Sequence, residues 1–404
     1  MVKQASLASE LAAIIGDENV TTASDAHVVD GVTPQAVATP GDYDEVRRLL
    51  AYANEHRLAV IPLGRRQHTG LGNVPARYDI ALDTRRLTGV VEFEPADLTI
   101  TCRAGTTLGE LRTATAASGL MAPFDPAIPD DATIGGILAA NVSGPARVSL
   151  GTPRDFTIGI RVVTADGWLT RAGGKVVKNV AGYDLCKLYI GSLGTLAVIV
   201  EATFKTVPLP QKQLSLAFDF AEPIAACRLV SDAVRAGLKV SSALLTRDMP
   251  LWRLRISLAG TPEAVARSEF DVAAAASGLG AKQVAADHNA ASASPVVVRI
   301  DTLPPRLPEL LAEAAAALPL ARIEAQPWDG ACRVGVDDSS ATTATRELAA
   351  RYGATCVIER CPTDVKREID VFGEPPASFA LMQSIKREFD PNSVLSPGRF
   401  VGRL

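Results

Sequence analysis

Three short segments gather the residue types that could do chemistry. The first, PLGRRQHTGLG (62–72), follows an extended apolar run and sets three glycines around Arg65, Arg66 and His68. Glycine admits left-handed backbone and close approach. Such a loop can therefore turn successive N–H groups onto a phosphate, with the arginines adding charge; a plain surface turn has the same composition. The second, PDDATIGGILAANVSG (129–144), opens what reads as a helix at Thr133, Gly135 and Gly136. Free N–H groups and the helix dipole there favour an anion, unless the Gly-Gly start serves packing alone. The third, GGKVVKNVAGYDLCKLYIGSLGTL (173–196), places Lys178, Asn179, Tyr183 and Asp184 among glycines. It reads either as a polar site or as a structural turn in which Asp184 caps the next helix.

Other chemistries lose their signal. No GxGxxG, Walker A, HExxH or GxSxG pattern occurs, and His27, His56, His68 and His288 are far apart in sequence. Cys102, Cys186, Cys227, Cys332, Cys356 and Cys361 form no CxxC. Iron–sulfur and zinc sites need tighter clusters, and scattered cysteines fit a reducing, cytoplasmic location. The 404 residues are 47% hydrophobic and 21% charged, enough for two or three domains with a core that needs no disulfides. A net charge of -4 leaves no basic footprint for a nucleic-acid binder. The N-terminus is too polar for a secretory leader. No apolar run approaches the roughly 18 residues of a membrane span, so membrane contact is expected only through a partner.

The elements that must position these segments follow from periodicity. A helix is expected over 41–57, with Val46, Leu49, Leu50 and Ala53 on one face, then an extended run over 58–63. Short strands at 78–84, 89–95 and 97–105 precede a helix at 107–119 that Gly119 ends. A hairpin over 157–172 turns at Asp166-Gly167, and 196–208 is a strand leading to a linker-like PLPQKQ (208–213). Residues 214–360 twice repeat a βαββα rhythm, with a polar stretch between the passes. That predicts a duplicated α+β unit forming one antiparallel sheet with helices on one face. A last helix spans 377–389, followed by the proline- and glycine-bearing DPNSVLSPGRF.

Taken together, ATIGG (132–136), GTPRD (151–155), VVTADG (162–167), KNVAGYDL (178–185) and GSLGTL (191–196) resemble the FAD-binding domain of the vanillyl-alcohol oxidase and p-cresol methylhydroxylase superfamily. The ordered set fits across roughly residues 35–208, and FDPNSVLSPGR (389–399) resembles the C-terminal element of its 2-hydroxyacid branch. The resemblance implies an α+β fold: a PCMH-type FAD-binding domain of two α+β subdomains (1–210), an α+β cap with an antiparallel sheet (211–374), and a helix and loop returning to the FAD domain (375–404). It assigns FAD contacts to Pro62, Leu63, Gly64, Arg65, Arg66, Gln67, His68, Thr69 and Gly70. It adds Asp130, Thr133, Ile134, Gly135, Gly136, Asn141, Gly144 and Arg154, with Val198 and Ile199 near the adenine. Within the superfamily the likeness is to FAD-binding subunits of bacterial glycolate oxidases. That implies a catalytic flavoprotein subunit and an iron–sulfur subunit as partners, and a small 2-hydroxy acid as substrate. A stand-alone dehydrogenase and a non-catalytic assembly subunit are the alternatives.

The chain also departs from the family. Arg65, Arg66 and Gln67 stand where relatives carry more glycine, and His68 stands where some members bond FAD covalently. The paired cap histidines of catalytic relatives are missing, since 214–360 holds only His288; Ser396 replaces an asparagine before Pro-Gly. A substrate carboxylate would need a cation, and Arg253, Arg255, Arg299 and Arg333 are the cap's candidates. Arg253 and Arg255, two apart, share a strand face, which solvent or ion pairs could equally occupy.

Overall fold

The computed structural model of the protein describes residues 7–175, 183–286 and 294–404. The first sheet joins β1 (Val20–Thr21), β2 (Ala36–Ala38), β3 (Val60–Leu63) and β4 (Ile80–Asp83) in the order β1-β2-β4-β3. β4 runs parallel to both its neighbours and is buried along its length, as parallel strands covered on both faces are. Helices α1 (Leu7–Ile15) and α2 (Tyr43–Glu55) pack against this sheet. The start of α2 is fixed by Asp42, which accepts from the Glu45 amide at 2.8 Å, and its Val46, Leu49, Leu50 and Ala53 are buried as their spacing predicts.

The second sheet uses β5 (Val90–Glu94) and β6 (Thr99–Arg103) and, beyond the short β7 (Leu120–Met121), β8 (Thr157–Val163), β9 (Leu169–Gly173) and β10 (Val198–Lys205). Its order is β5-β6-β10-β8-β9, all antiparallel, and β11 (Val207–Pro208) pairs with β7. The helices of this part are α3 (Leu108–Ala116), α4 (Ile134–Ala140), α5 (Arg147–Leu150), α6 (Pro153–Phe156) and α7 (Cys186–Tyr189).

Eight strands make the third sheet: β12 (Lys212–Phe220), β13 (Val240–Asp248), β14 (Leu251–Gly260), β15 (Lys282–Val284), β16 (Val296–Asp301), β17 (Arg322–Gln326), β18 (Ala331–Val336) and β19 (Thr355–Arg360). The order is β15-β12-β14-β13-β17-β18-β16-β19. Read outward from the central β13–β17 pair, each half repeats one arrangement: second, third, first and fourth strand of its unit. The repeated rhythm of 214–360 thus closes as one antiparallel sheet. The addition is β15, three mostly exposed edge residues too short to show alternation. Helices α8 (Pro223–Arg235), α9 (Pro262–Gly278), α10 (Leu307–Ala317) and α11 (Ala341–Arg351) bury one face against residues such as Phe218, Leu254, Ile300 and Val334. The alternate residues Arg253, Arg255, Arg299 and Arg333 stand on the other face, half-buried.

After α12 (Thr363–Glu368) and α13 (Phe379–Phe389) the chain returns to the first sheet. The Val60 amide donates to Val394 O at 2.8 Å and the Ser396 amide to Val60 O at 2.9 Å, so the tail lies parallel to β3 as an added strand.

Candidate active site

Strand β3 delivers Pro62 and Leu63 to a loop whose residues Gly64 to Thr69 line an open cleft of about 590 Å³ together with Thr133, Gly136, Leu193 and Arg399. Among the described residues, the amides of Arg65, Arg66, Gln67 and His68 donate no hydrogen bond within the chain. Arg66 holds a left-handed φ of 63°. Behind the loop lies a buried charge cluster. Lys366 Nζ donates to Gly70 O at 2.5 Å and to Asp30 at 2.8 Å. Arg399 donates to Thr69 O at 2.6 Å, to Leu71 O, and to Asp30 at 3.3 Å. Two cations against one carboxylate leave a net positive charge under a loop whose Thr69, Gly70 and Leu71 carbonyls are already satisfied. Unspent amides above it make a receptor for an anion.

Gly64 is required by proximity: a Cβ there would stand 2.1 Å from Thr133 Oγ1. Gly64→Ala is expected to lower stability by about 1–3 kcal/mol through overpacking of the loop on α4, read as a fall in the urea midpoint.

The second segment corrects an expectation. Thr133 does cap α4, accepting from Gly136 N at 3.4 Å. The first-turn amides, however, are already bonded: Ile134 N donates to Thr106 O at 2.9 Å and Gly135 N to Ala104 O at 2.7 Å. They are not free for an anion. The Gly-Gly start serves packing, since a Cβ on Gly135 would lie 3.0 Å from that of Ala104. At the far end of α4, Asn141 adopts left-handed backbone, and its Oδ1 is buried with no partner among the described residues.

Other assigned residues scatter. Asp130 is exposed and paired with Arg112, Gly144 packs on the buried Asp125, and Val198 and Ile199 are buried in β10. None of these four lines a cleft described here. Lys178, Asn179 and His288 lie outside the described residues. Tyr183 is 96% exposed, and Asp184 pairs with Lys187 at 3.6 Å rather than capping α7, whose N-cap is Leu185.

Beside the loop a second cleft, about 1460 Å³ of open space, separates Gln67, His68 and Asn141 from the helix-free face of the third sheet. Arg299, Arg322, Glu324, Arg333, Glu359 and Arg360 line its far wall. Arg333 grips Glu359 with two bonds, 2.7 and 3.2 Å, and Arg299 stands 3.9 Å from the same carboxylate while bonding Asp301 at 2.8 Å. Asn141 and Arg299 are shared with a third cleft of about 1060 Å³ that also takes in Arg154. Arg253 and Arg255 line none of the three; β14 lies three strands from β18, and Arg253 is held by Asp219 at 2.8 Å. Asp30, Glu359, Lys366 and Arg399 were not legible as site residues, although the PGR of the tail marked the neighbourhood of Arg399.

Residues 34–173 match a family described as FAD binding domain, and residues 373–400 match the C-terminal domain of FAD linked oxidases. The overall arrangement is that of p-cresol methylhydroxylase crystallised with substrate bound, at a TM-score of 0.72 and 18% identity over 97% of this chain and 95% of that one. The chain carries an FAD binding domain over residues 34–173. Glycolate oxidase subunit GlcE of Escherichia coli (strain K12) is 43% identical over 136 residues, 33% of this chain and 39% of that protein. Glycolate oxidase subunit GlcD of Bacillus subtilis (strain 168) is 35% identical over 217 residues, 54% of this chain. The chain spans about half the length of these relatives or less, 46% in the second case.

The residues of the loop cleft fit FAD. The unspent amides and the buried charge behind them suit the diphosphate, and the orphaned Asn141 Oδ1 offers an acceptor beside both larger clefts. When bound, FAD supplies a hydride acceptor. The loop amides would hold the diphosphate, and Arg299 and Arg333 line the sheet side of the neighbouring cleft. His68 lines both the loop cleft and the sheet cleft. Burial lowers its pKa below the ordinary 6.5, partly opposed by Glu359. A base whose folded pKa is depressed lends stability above 6.5 that is lost as pH falls through the window beneath it. His68→Gln is therefore expected to flatten the loss of thermal stability between pH 7 and pH 5 relative to the parent. An unchanged acid limb would contradict the burial of His68.

Proposed function

We propose that this chain is the FAD-binding subunit of a glycolate-oxidising complex. It would oxidise glycolate or D-lactate to the 2-oxo acid and pass electrons to an iron–sulfur partner, from the cytoplasm. The observation that carries the reading is the pair Arg299 and Arg333, facing His68 across one cleft. A 2-hydroxy acid offers a carboxylate to such cations and turns its C–H toward the flavin side, the positioning on which hydride transfer depends. The likeness to glycolate oxidase subunits supports the substrate class and the presence of partners. Reduced flavin must be reoxidised. Among the described residues no group of His, Cys, Asp or Glu could hold a metal, so a relay is assigned to a partner.

Purification decides. The native chain should be yellow, absorbing at about 450 nm as flavins do, and should copurify with a second flavoprotein and an iron–sulfur protein. Anaerobic glycolate should bleach the flavin of the assembled complex. Vigorous turnover of glycolate with a dye by the isolated chain would favour a stand-alone dehydrogenase, and a colourless protein a non-catalytic assembly subunit.

A further inference from the structure

The two halves of the third sheet differ at one matched pair of positions. In the first half Asp219 on β12 stands opposite Arg253 on β14, and the two form a closed bidentate ion pair at 2.8 and 3.0 Å. In the second half the corresponding strands are β16 and β18, and the matched positions hold Arg299 opposite Arg333. An arginine stands where the repeat has an aspartate. Like charges placed opposite one another repel, so the second half needs a carboxylate from elsewhere. Two carboxylates supply it: Asp301 on β16 holds Arg299 at 2.8 and 3.1 Å, and Glu359 on β19 holds Arg333 closely and reaches Arg299 at 3.9 Å. The Arg253 pair lies away from the clefts, whereas Arg299, Arg333 and Glu359 all line the one that holds His68.

We infer that Glu359 is a resident carboxylate that occupies Arg333 until a substrate carboxylate takes its place, and so sets how weakly the cleft holds small acids. This rests on the 2-hydroxyacid reading above. The exchange is of ion pairs alone; no bond is made or broken. It implies selectivity for short acids, because the incoming carboxylate must reach the arginines with Glu359 still on the same wall. It also implies that substrate affinity depends on a residue that need not touch the reacting carbon.

The test is calorimetric titration of the full chain with oxalate, an acid with no C–H to oxidise. Glu359→Gln is expected to bind oxalate about five- to tenfold more tightly than the parent, the effect of removing one like charge a few ångströms away. Glu359→Asp, which keeps the charge, should stay within about twofold of the parent on the same ground. Asp219→Asn strips a carboxylate from the matched arginine outside the cleft and should leave oxalate affinity unchanged. Equal affinity in the parent and Glu359→Gln, or equal tightening by Asp219→Asn, overturns the proposal while the 2-hydroxyacid reading stands. Binding weakened by Glu359→Gln overturns it too, by making Glu359 a support for the arginines. No binding in any variant, with all of them folded by circular dichroism, removes the substrate class and the proposal together.

Discussion

An Arg399→Met protein is expected to lose about 3–5 kcal/mol of stability and to purify largely without flavin, because one partner of a buried ion cluster has gone. Arg399 is 4% exposed. Its loss leaves Asp30 with Lys366 alone and removes the donor to Thr69 O and Leu71 O. Each buried carbonyl left without a partner costs roughly 1–3 kcal/mol unless the loop moves to meet water. Movement is the damaging outcome, since the same loop carries the amides that would face the diphosphate. Arg399→Lys should fall between the two, keeping the charge and losing the fork. Urea denaturation gives the stability, and the flavin-to-protein absorbance ratio gives retention. A destabilised Arg399→Met that keeps its full flavin content would show that the cluster supports the fold without shaping the loop.

Lys386→Met should match that loss, again about 3–5 kcal/mol, for a buried pair broken on one side. Lys386 Nζ donates to Asp390 at 2.6 Å, Thr195 O at 2.7 Å and Leu395 O at 3.0 Å. Asp390 is itself fully buried and accepts from the amides of Val394 and Leu395 at 2.9 and 2.8 Å. The pair therefore folds the turn that lays the tail along β3. Adding Asp390→Asn to Lys386→Met removes the stranded charge and should recover about 1 kcal/mol or more, the coupling expected of residues in one network. A double variant less stable than Lys386→Met would mean that the carboxylate's bonds to the backbone outweigh its burial.

The architecture was readable wherever a period repeats. The alternation of apolar and other residues along β16 and the four-residue face of α2 are local patterns, and two rounds of strand and helix patterns announced the duplicated sheet. The Gly64 loop was readable because glycine density is local too. The charge cluster beneath it was not. Asp30 lies 336 and 369 residues from Lys366 and Arg399, and meets them only through the returning tail. The Gly-Gly start of α4 misled for a related reason. A sequence shows that a helix begins, but not that Thr106 and Ala104 of another segment have already accepted its first amides. Arg253 and Arg333 occur in equally apolar strands, and the identity of the cross-strand neighbour, Asp219 or Arg299, decides whether the ion pair closes with that neighbour or with Glu359 on another strand.

The added strand at β3 has a consequence for biogenesis. Val60 is bonded to Val394 and Ser396, and the following loop is gripped by Arg399. Without residues through 399 the loop after β3 lacks its grip, however early the first sheet condenses. Contacts of such long sequence separation form late and slowly. Flavin retention is accordingly expected to require the chain through Arg399, and a variant stopped before Arg399 should fold in part and never turn yellow.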